Sequence, residues 1–580
     1  MIRKLIRQML TAQIFSALTV SLCLLIDNIM IGRFLGESAI AAYGLANPVL
    51  LVIGAIGSML AAGIQVACSK SLGKGSQEET NAGYSSAIAL TLGISLVFML
   101  AVLIFRSPLA AMMGAGNSGE LYDQTRDYLA GFIIGAPGSM GALVLVPFMQ
   151  MAGQSGLLIA AVLGMTLTDV ALDLLNVLVF QGGMFGMGLA SSLSYYVALI
   201  VGCFYFLSKK CVFRFSFRLI TKQKIAELFR SGVPTVFNMA SSVILIFVLN
   251  KILLSTGGKG AVAAYTVITT IGNASNCITT GIGGVSLTLA GIFFNEEDRS
   301  ALRELIRLLC RYAVILGLAV GALLLIFAPA CAALFIPQAG ETQAIAILGL
   351  RLFAAGLIPC CINNALKNAY QASGRVGLTE IISLLEGAAL PILAAFLFSR
   401  FLGVTGVWLY FAAGETLALL CIALFVWRKS GTLPWQNGAY LLLKPDFGVT
   451  PENLMEAEIR TLPEAAEAAR NAEEFCLSHG QNAKTSNHIA LCIEEMAGNT
   501  IQHGFAADQK PHHLSLRILH KKDQWVLRFR DDCASFDPVH YVPEEGKDAL
   551  GIRLVLALAQ EALYTYSLNL NNLTLKLPEE

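Results

Sequence analysis

The sequence is poor in charge, and what charge it has is unevenly spread. Only 14% of its 580 residues are Asp, Glu, Lys or Arg, against ~25% in a typical soluble chain. No histidine precedes His479. No Gly-x-x-x-x-Gly-Lys-Ser/Thr string occurs, which closes the P-loop route to an ATP-driven pump. The 13 cysteines show no paired C-x-x-C spacing, and Cys360 and Cys361 are adjacent within an apolar run. They read as small buried hydrophobes in a reducing setting, not as a disulfide scaffold. The seven histidines (His479, His488, His503, His512, His513, His520 and His540) form no H-x-x-x-H or H-E-x-x-H pair, so their number alone gives no metal centre. The net charge of +1 does not describe a nucleic-acid binder, and it is a cancellation. Residues 1–444 carry 28 Lys and Arg against 18 Asp and Glu, whereas residues 445–580 carry 12 against 21.

Apolar sequence fills the space that charge leaves. The chain is 56% hydrophobic, and a ~30 Å hydrocarbon core needs about 20 apolar residues per helix. Twelve stretches of that size are predicted at 11–32, 46–69, 83–105, 128–150, 157–180, 186–208, 233–254, 264–294, 310–335, 345–370, 377–399 and 405–427. The basic start, Met1-Ile-Arg-Lys-Leu-Ile-Arg, runs into a long apolar stretch with no small-residue cleavage pattern, so it reads as the first span and not as a leader. The chain ends and even-numbered connections, with the span ends beside them, hold 21 Lys and Arg, seven of them between 209 and 230. The odd-numbered side holds six: Arg33, Arg106, Arg126, Lys251, Lys259 and Arg400. The positive-inside rule then places both termini in the cytoplasm of a multi-pass plasma-membrane protein.

The two halves repeat. Ala39-Ile-Ala-Ala-Tyr43 returns as Ala261-Val-Ala-Ala-Tyr265, Gln150-Met-Ala-Gly153 as Gln371-Ala-Ser-Gly374, and Gly183-Met-Phe-Gly186 as Gly403-Val-Thr-Gly406. The shared offset predicts two six-helix bundles of one design, with a substrate path between them and transport by rocking. Against this background three acids stand out. Asp27 lies in the first span, and Asp169 and Asp173 lie four apart in the fifth, on one helix face. Their counterparts in the second half are Leu249, Ala389 and Leu393. A carboxylate at a span's centre costs ~2.5–3.5 kcal/mol on insertion scales, so the first bundle is the expected ion site. Glu380, Glu386 and Glu415 are expected near helix ends, in structural roles.

Asp27-Asn-Ile-Met-Ile-Gly-Arg-Phe-Leu-Gly, followed by Ala-Ala-Tyr-Gly-Leu-Ala-Asn-Pro, resembles the first two helices of multidrug and toxic compound extrusion (MATE) transporters. The stretch from Asp173 through Gly183-Met-Phe-Gly186-Met-Gly-Leu-Ala is similar to that family's acid and G-x-x-G-x-x-x-A string. The resemblance covers residues 5–430. It implies a V-shaped pair of six-helix lobes, at 1–215 and 216–432, exporting organic, often cationic, compounds against inward H⁺ or Na⁺, with Asp27, Asp169 and Asp173 as cation-coupling acids. The chain departs from the family at Ser242, where one branch carries an acid, and in having no proline within 11–32.

Beyond a linker at 433–449 the pattern becomes that of a water-soluble α+β domain at 450–580. His513-Leu-Ser-Leu-Arg-Ile-Leu and Gln524-Trp-Val-Leu-Arg-Phe-Arg alternate as strands do. Helices are predicted at 462–478, behind a Thr461…Glu464 capping box, and at 486–503 and 549–562. Glu495, Asn499 and His503 fall at i, i+4 and i+8 on the second helix, one polar line. A carboxylate there suits a general base, and an amide oxygen one turn away suits Mg²⁺. Asp531 ends a strand, and Gly551 opens a predicted helix whose N-terminal amides suit a phosphate. Their order resembles the gyrase, histidine-kinase and MutL (GHKL) ATP fold, closest to anti-sigma-factor serine kinases. The resemblance implies ATP with Mg²⁺ on Asn499, Glu495 as catalytic base, Asp531 on adenine and Gly551 at the phosphates. The family's Asp-x-Gly-x-Gly is here Asp531-Asp-Cys533-Ala-Ser535.

The expected function is a secondary antiporter for a small-molecule substrate, with an ATP-binding regulatory tail. Two alternatives stand beside it. One is a membrane-tethered serine kinase acting on a small cytoplasmic regulator, akin to an anti-sigma antagonist; the other is a lipid or precursor flippase.

Overall fold

The computed structural model describes residues 2–579 except 116–117, 207, 209–210, 212, 337–339, 437, 445–446, 508–509, 523 and 543–549. Lys209, Lys210 and Ala549, used in the sequence reading, lie outside the described residues. Among the described residues ten helices are long and apolar enough to span a bilayer, or twelve if each of two bent pairs counts as one. The first lobe holds α1 (Ile2–Met30), α2 (Glu37–Gly73), α3 (Gln77–Ala110), the pair α4 (Glu120–Ile133) and α5 (Ala136–Met151), α6 (Ser155–Leu175) and α7 (Gly183–Phe206). The second holds α8 (Lys222–Ser275), α9 (Cys277–Asn295), α10 (Arg299–Phe335), the pair α11 (Glu341–Ala354) and α12 (Leu357–Ala372), α13 (Val376–Leu384), α14 (Leu390–Leu402), α15 (Val404–Val407) and α16 (Tyr410–Ser430). α8 is two helices merged across non-helical Gly258. The bent pairs turn by 48° and 45°, at Gly135-Ala-Pro137 and at Gly356-Leu-Ile-Pro359, where proline withholds an N–H from the helix ladder.

The duplication is written into the backbone. Gly36 and Gly258, Gly153 and Gly374, and Gly183 and Gly403 all carry positive φ at the repeat offset, and so do Gly75 and Glu297. Glycine takes this conformation at no steric cost; Glu297 is the one member of the four pairs that is not glycine.

Two arrangements of core explain the shape. On the side where the C-terminal tail sits, a single apolar core joins both lobes, running from Ile6, Met9 and Leu10 through Leu60 and Ile64 to Ile282, Leu289 and Phe293. On the opposite side each lobe has its own core: one around Ala42, Val49, Leu129 and Met140, the other around Leu249, Tyr265, Leu350 and Trp408. The lobes thus meet at the tail face and part at the far face. Polar contacts agree: Gln65 Nε2 donates to Gly284 O at 2.9 Å and to Thr288 Oγ1, and Lys70 pairs with Glu227 at 2.7 Å.

The tail is a five-stranded antiparallel sheet, β1 (Leu454–Ile459), β2 (Leu514–Lys521), β3 (Gln524–Asp531), β4 (Glu561–Ser567) and β5 (Leu570–Pro578), in the order β1-β2-β3-β5-β4. α17 (Leu462–Ser478), α18 (Ala483–Asn499) and α19 (Leu550–Leu558) cover one face, over a core that includes Ile489, Ile493, Trp525, Leu527, Val555 and Leu575. The capping box forms, with Glu464 N donating to Thr461 Oγ1 and Thr461 N to Glu464 Oε2. Two expectations change. The helix expected at 549–562 stops at Leu558, because Glu561–Ser567 is claimed by pairing with β5. The helix expected at 486–503 is α-helical only to Asn499 and then widens into a π-turn, Thr500–Gly504.

Candidate functional site

α1 and α6 pack together, and this packing brings Asp27, Asp169 and Asp173 into one group inside the first lobe. The three are 7%, 3% and 0% exposed, so none faces lipid. Asp27 neighbours both other carboxyls. Cys23 Sγ donates to Asp169 Oδ2 at 3.3 Å, and Ser191 and Ser194 of α7 are further neighbours of Asp169. The charged groups acting on Asp27 and Asp173 are other carboxylates. Among the described residues, Asp27 Oδ1, Asp169 Oδ1 and both oxygens of Asp173 have no hydrogen-bond donor. Three adjacent buried carboxylates would repel one another if all were ionised without a counter-charge.

Local sequence builds this arrangement. α1 and α6 both end in π-turns just beyond the acids, at Ile31–Leu35 and Asn176–Phe180, a feature common at functional sites. Asn176 Oδ1 accepts from Gly182 N and Asn176 Nδ2 donates to Gly183 O, both at 3.1 Å. A Cβ on Gly186 would collide with that Asn176 side chain, and one on Gly188 would strike the α4 backbone at Tyr128 and Phe132. Gly186 therefore lets α7 close against the π-turn that follows α6, and Gly188, two residues on, lets it close against α4.

The second lobe also has buried charge, and two of the glutamates expected in structural roles bond to neighbouring helices inside it. Glu386 and Glu415 are each 6% exposed. Lys367 of α12 forms an ion pair with Glu386, and both side chains are 5% exposed. Asn363 Nδ2 donates to Glu415 Oε2 at 2.8 Å and to Glu415 O at 2.9 Å. Their partners, Lys367 and Asn363, were not identified from the sequence because they come from another helix. The two lobes therefore differ in kind: the second matches an acid with an ammonium, whereas the first leaves its acids unmatched. Glu380, the third of these glutamates, has no part in the pair.

In the tail, β3, α18 and α19 bring the expected residues toward one another. Asp531 is 7% exposed; its Oδ1 accepts from Asn571 Nδ2 at 2.7 Å and from Cys533 N at 3.0 Å. Burial pushes its carboxyl above the ordinary range, against the opposing effect of Asn571. Glu495 lies against Gly551, where an added Cβ would collide with Glu495 Oε2. Asn499 closes α18, half-buried, and the π-turn carries His503 out of line to an exposed position. Asp531, a buried carboxylate at a strand end, has the acceptor chemistry that an amino-purine edge would need. Around Gly551 there is less room: Glu495 fills the approach to it, and Cys533 and Ser535 bring side chains where the resembled fold has glycine. Cys533 is buried, its Sγ against Gly504, and Ser535 Oγ meets Tyr564 Oη at 3.3 Å. Among the described residues no group of three His, Cys, Asp or Glu is arranged to hold a metal ion.

Residues 12–175 match the family model MatE. The multidrug export protein MepA of Staphylococcus aureus strain NCTC 8325 is 24% identical over 414 residues, 69% of this chain and 88% of MepA. MepA of Staphylococcus saprophyticus is 23% identical over 405 residues, with the same coverage. Among solved structures, the outward-facing conformation of a multidrug resistance MATE family transporter of the MOP superfamily superposes with a TM-score of 0.68 at 21% identity, over 72% of this chain and 94% of that one. A MOP superfamily transporter from Pyrococcus furiosus, described as having a binding pocket of reverse polarity, gives 0.66 at 22% identity, with the same coverage. The membrane part thus has the MATE transporter fold.

Proposed function

We propose, from a membrane part that has the MATE fold and whose residues 12–175 match the MatE model, that this protein exports organic compounds across the plasma membrane in exchange for an inward-moving cation. The observation that carries the reading is the unmatched carboxylate group Asp27–Asp169–Asp173. Burial makes its ionised state costly, so an occupying proton or Na⁺ stabilises one packing of α1 against α6 and α7. Cargo binding between the lobes favours a different packing, and reciprocal linkage makes ion and cargo disfavour each other. The ion gradient then drives outward cargo movement. By the positive-inside count, the tail face is cytoplasmic.

The tail is proposed to be a GHKL-type nucleotide-binding regulator. Asp531 would hold the adenine edge, Asn499 the Mg²⁺, and Gly551 and Glu495 would border the phosphates. The group itself would supply phosphate charge at the start of α19. Glu495 has to turn away from Gly551 to admit it, and this is the residue-level event that distinguishes an occupied tail.

The test is efflux of a fluorescent organic cation from proteoliposomes under separately imposed H⁺ and Na⁺ gradients. Asp27→Asn is expected to reconstitute normally and lose the gradient-driven component. Undiminished gradient-driven efflux by this variant removes Asp27 from the coupling mechanism.

A further inference from the structure

The tail's sheet has a second face that the sequence reading left unused. Alternation places Arg517, Lys521, Arg528 and Arg530 opposite the helix-covered side, with Glu456 beside Arg517 at 2.7 Å, a face on which basic residues outnumber acidic ones in an acidic domain. This face meets a turn of the second lobe between α9 and α10. Arg530 pairs with Glu296 at 2.6 Å, Lys521 with Glu297, and Arg517 with Asp298. Burial and the neighbouring Arg530 push the Arg517 guanidinium down to about 10, consistent with a desolvated contact.

The repeat shows that this turn is specialised. Its counterpart in the first lobe is Gly73-Lys74-Gly75-Ser76, with no acid, and both turns cap the next helix, through Ser76 and Asp298. Where Gly75 has φ +75°, Glu297 holds φ +57°. A glutamate in the left-handed region is strained, and here it places a carboxylate on Lys521. The linker fastens to the same lobe: Tyr370 Oη and Arg375 Nη1 donate to Tyr440 O and Leu441 O, each at 2.6 Å, and Arg299 Nη2 to Lys444 O at 2.7 Å.

The contacts with the first lobe are of another kind. The β4–β5 tip, Leu568-Asn569, has both residues at positive φ, as a two-residue hairpin requires. Leu568 N donates to Met151 O at 2.6 Å, and Asn569 Nδ2 to Gly153 O at 2.9 Å. Gly153, the repeated glycine after α5, has no room for a Cβ against Asn569. Leu563 rests on Gly75, where an added Cβ would come to 3.2 Å from the leucine Cβ. Leu568 and Leu570 are buried in the apolar core that joins the lobes.

We infer that the tail is a latch: it is fastened to the second lobe by its linker and basic sheet face, and it holds the first lobe shut at the tail face through the Leu568-Asn569 tip. Alternating access needs the lobes to part on that face, so the tip has to leave Met151 and Gly153 before cargo enters from the cytoplasm. Two residues beyond the tip, Asn571 is the partner of Asp531, so an occupant of the tail site pulls on the strand that carries the latch. The inference rests on the rocking-lobe reading, but its test reads conformation and not export.

Hydrogen–deuterium exchange on the full chain in nanodiscs provides that test. Replacing the tip by Asn-Gly (Leu568→Asn with Asn569→Gly) keeps a favoured hairpin turn and removes both side chains that hold the lobe. Amides at 59–73 and 281–295, where the lobes meet, are expected to exchange roughly ten- to a hundredfold faster, with the strands at 514–531 still protected. Unchanged exchange at 59–73 and 281–295 overturns the latch. If the tip variant also unprotects 514–531, Leu563→Ala decides instead: faster exchange at 59–73 supports the latch, and wild-type exchange there refutes it.

Discussion

Lys367→Met isolates the difference between the two lobes. The Lys367–Glu386 pair is almost wholly buried, and among the described residues Glu386 Oε2 already has no hydrogen-bond donor. Removing the ammonium leaves an uncompensated carboxylate in the bundle, a loss of about 3–5 kcal/mol. At ~1.4 kcal/mol per tenfold change in an equilibrium, this is roughly a hundred- to several-thousandfold in the folded population. Lys367→Met combined with Glu386→Gln removes both charges and should recover most of the loss, because a buried pair and its neutral replacement are often close in stability. Asp27→Asn has no cationic partner to orphan, so it should change stability by less than about 1 kcal/mol. The assay is unfolding of purified protein in a mild detergent, followed by tryptophan fluorescence, with all three variants in one series. A Lys367→Met protein as stable as wild type refutes the buried-pair argument. So does an Asp27→Asn protein that loses as much as Lys367→Met.

Two further outcomes concern the tail. Glu297→Gly restores the residue that the repeat has at Gly75, relieving left-handed strain while removing a half-exposed ion pair worth ~0–1 kcal/mol. Stability in the same unfolding assay should stay within about 1 kcal/mol of wild type, and a much larger loss contradicts the strain assignment. For Asp531, burial raises the folded-state carboxyl above its unfolded value, so the folded tail keeps a proton that the unfolded chain has released. Tail stability should therefore fall as pH rises from the ordinary carboxylate range through the raised one. Asp531→Asn should flatten that slope, as read by pH-dependent exchange at 514–531; an unaltered slope assigns the dependence to another group.

The spans, the repeat and the first-lobe acids were legible because each is a local signal: an apolar run, a string at fixed offset, a charge where lipid forbids one. The Lys367–Glu386 pair and the Asn363–Glu415 contact were not, since their members lie 19 and 52 residues apart and only helix packing brings them together. Counting Lys367 with the basic residues of the cytoplasmic side hid it further. In the tail, Leu514–Lys521 and Gln524–Asp531 showed their alternation, whereas Glu561–Ser567 was hidden behind the amphipathic run that forms α19. The tail-to-lobe contacts had no local signal either, because Glu296-Glu297-Asp298 is an unremarkable loop until Arg530, Lys521 and Arg517 are placed on it.

Proton release on cargo binding tests the exchange at Asp27, Asp169 and Asp173 most directly. Purified protein in weakly buffered detergent, without any gradient, is titrated with a substrate cation while a pH dye reports protons set free; a parallel titration with Na⁺ preloaded distinguishes the ions. Wild type should release H⁺, or Na⁺ in its place, in proportion to cargo bound, and a variant with all three acids changed to Asn should bind cargo and release nothing. Equal release from wild type and the triple variant would contradict the account.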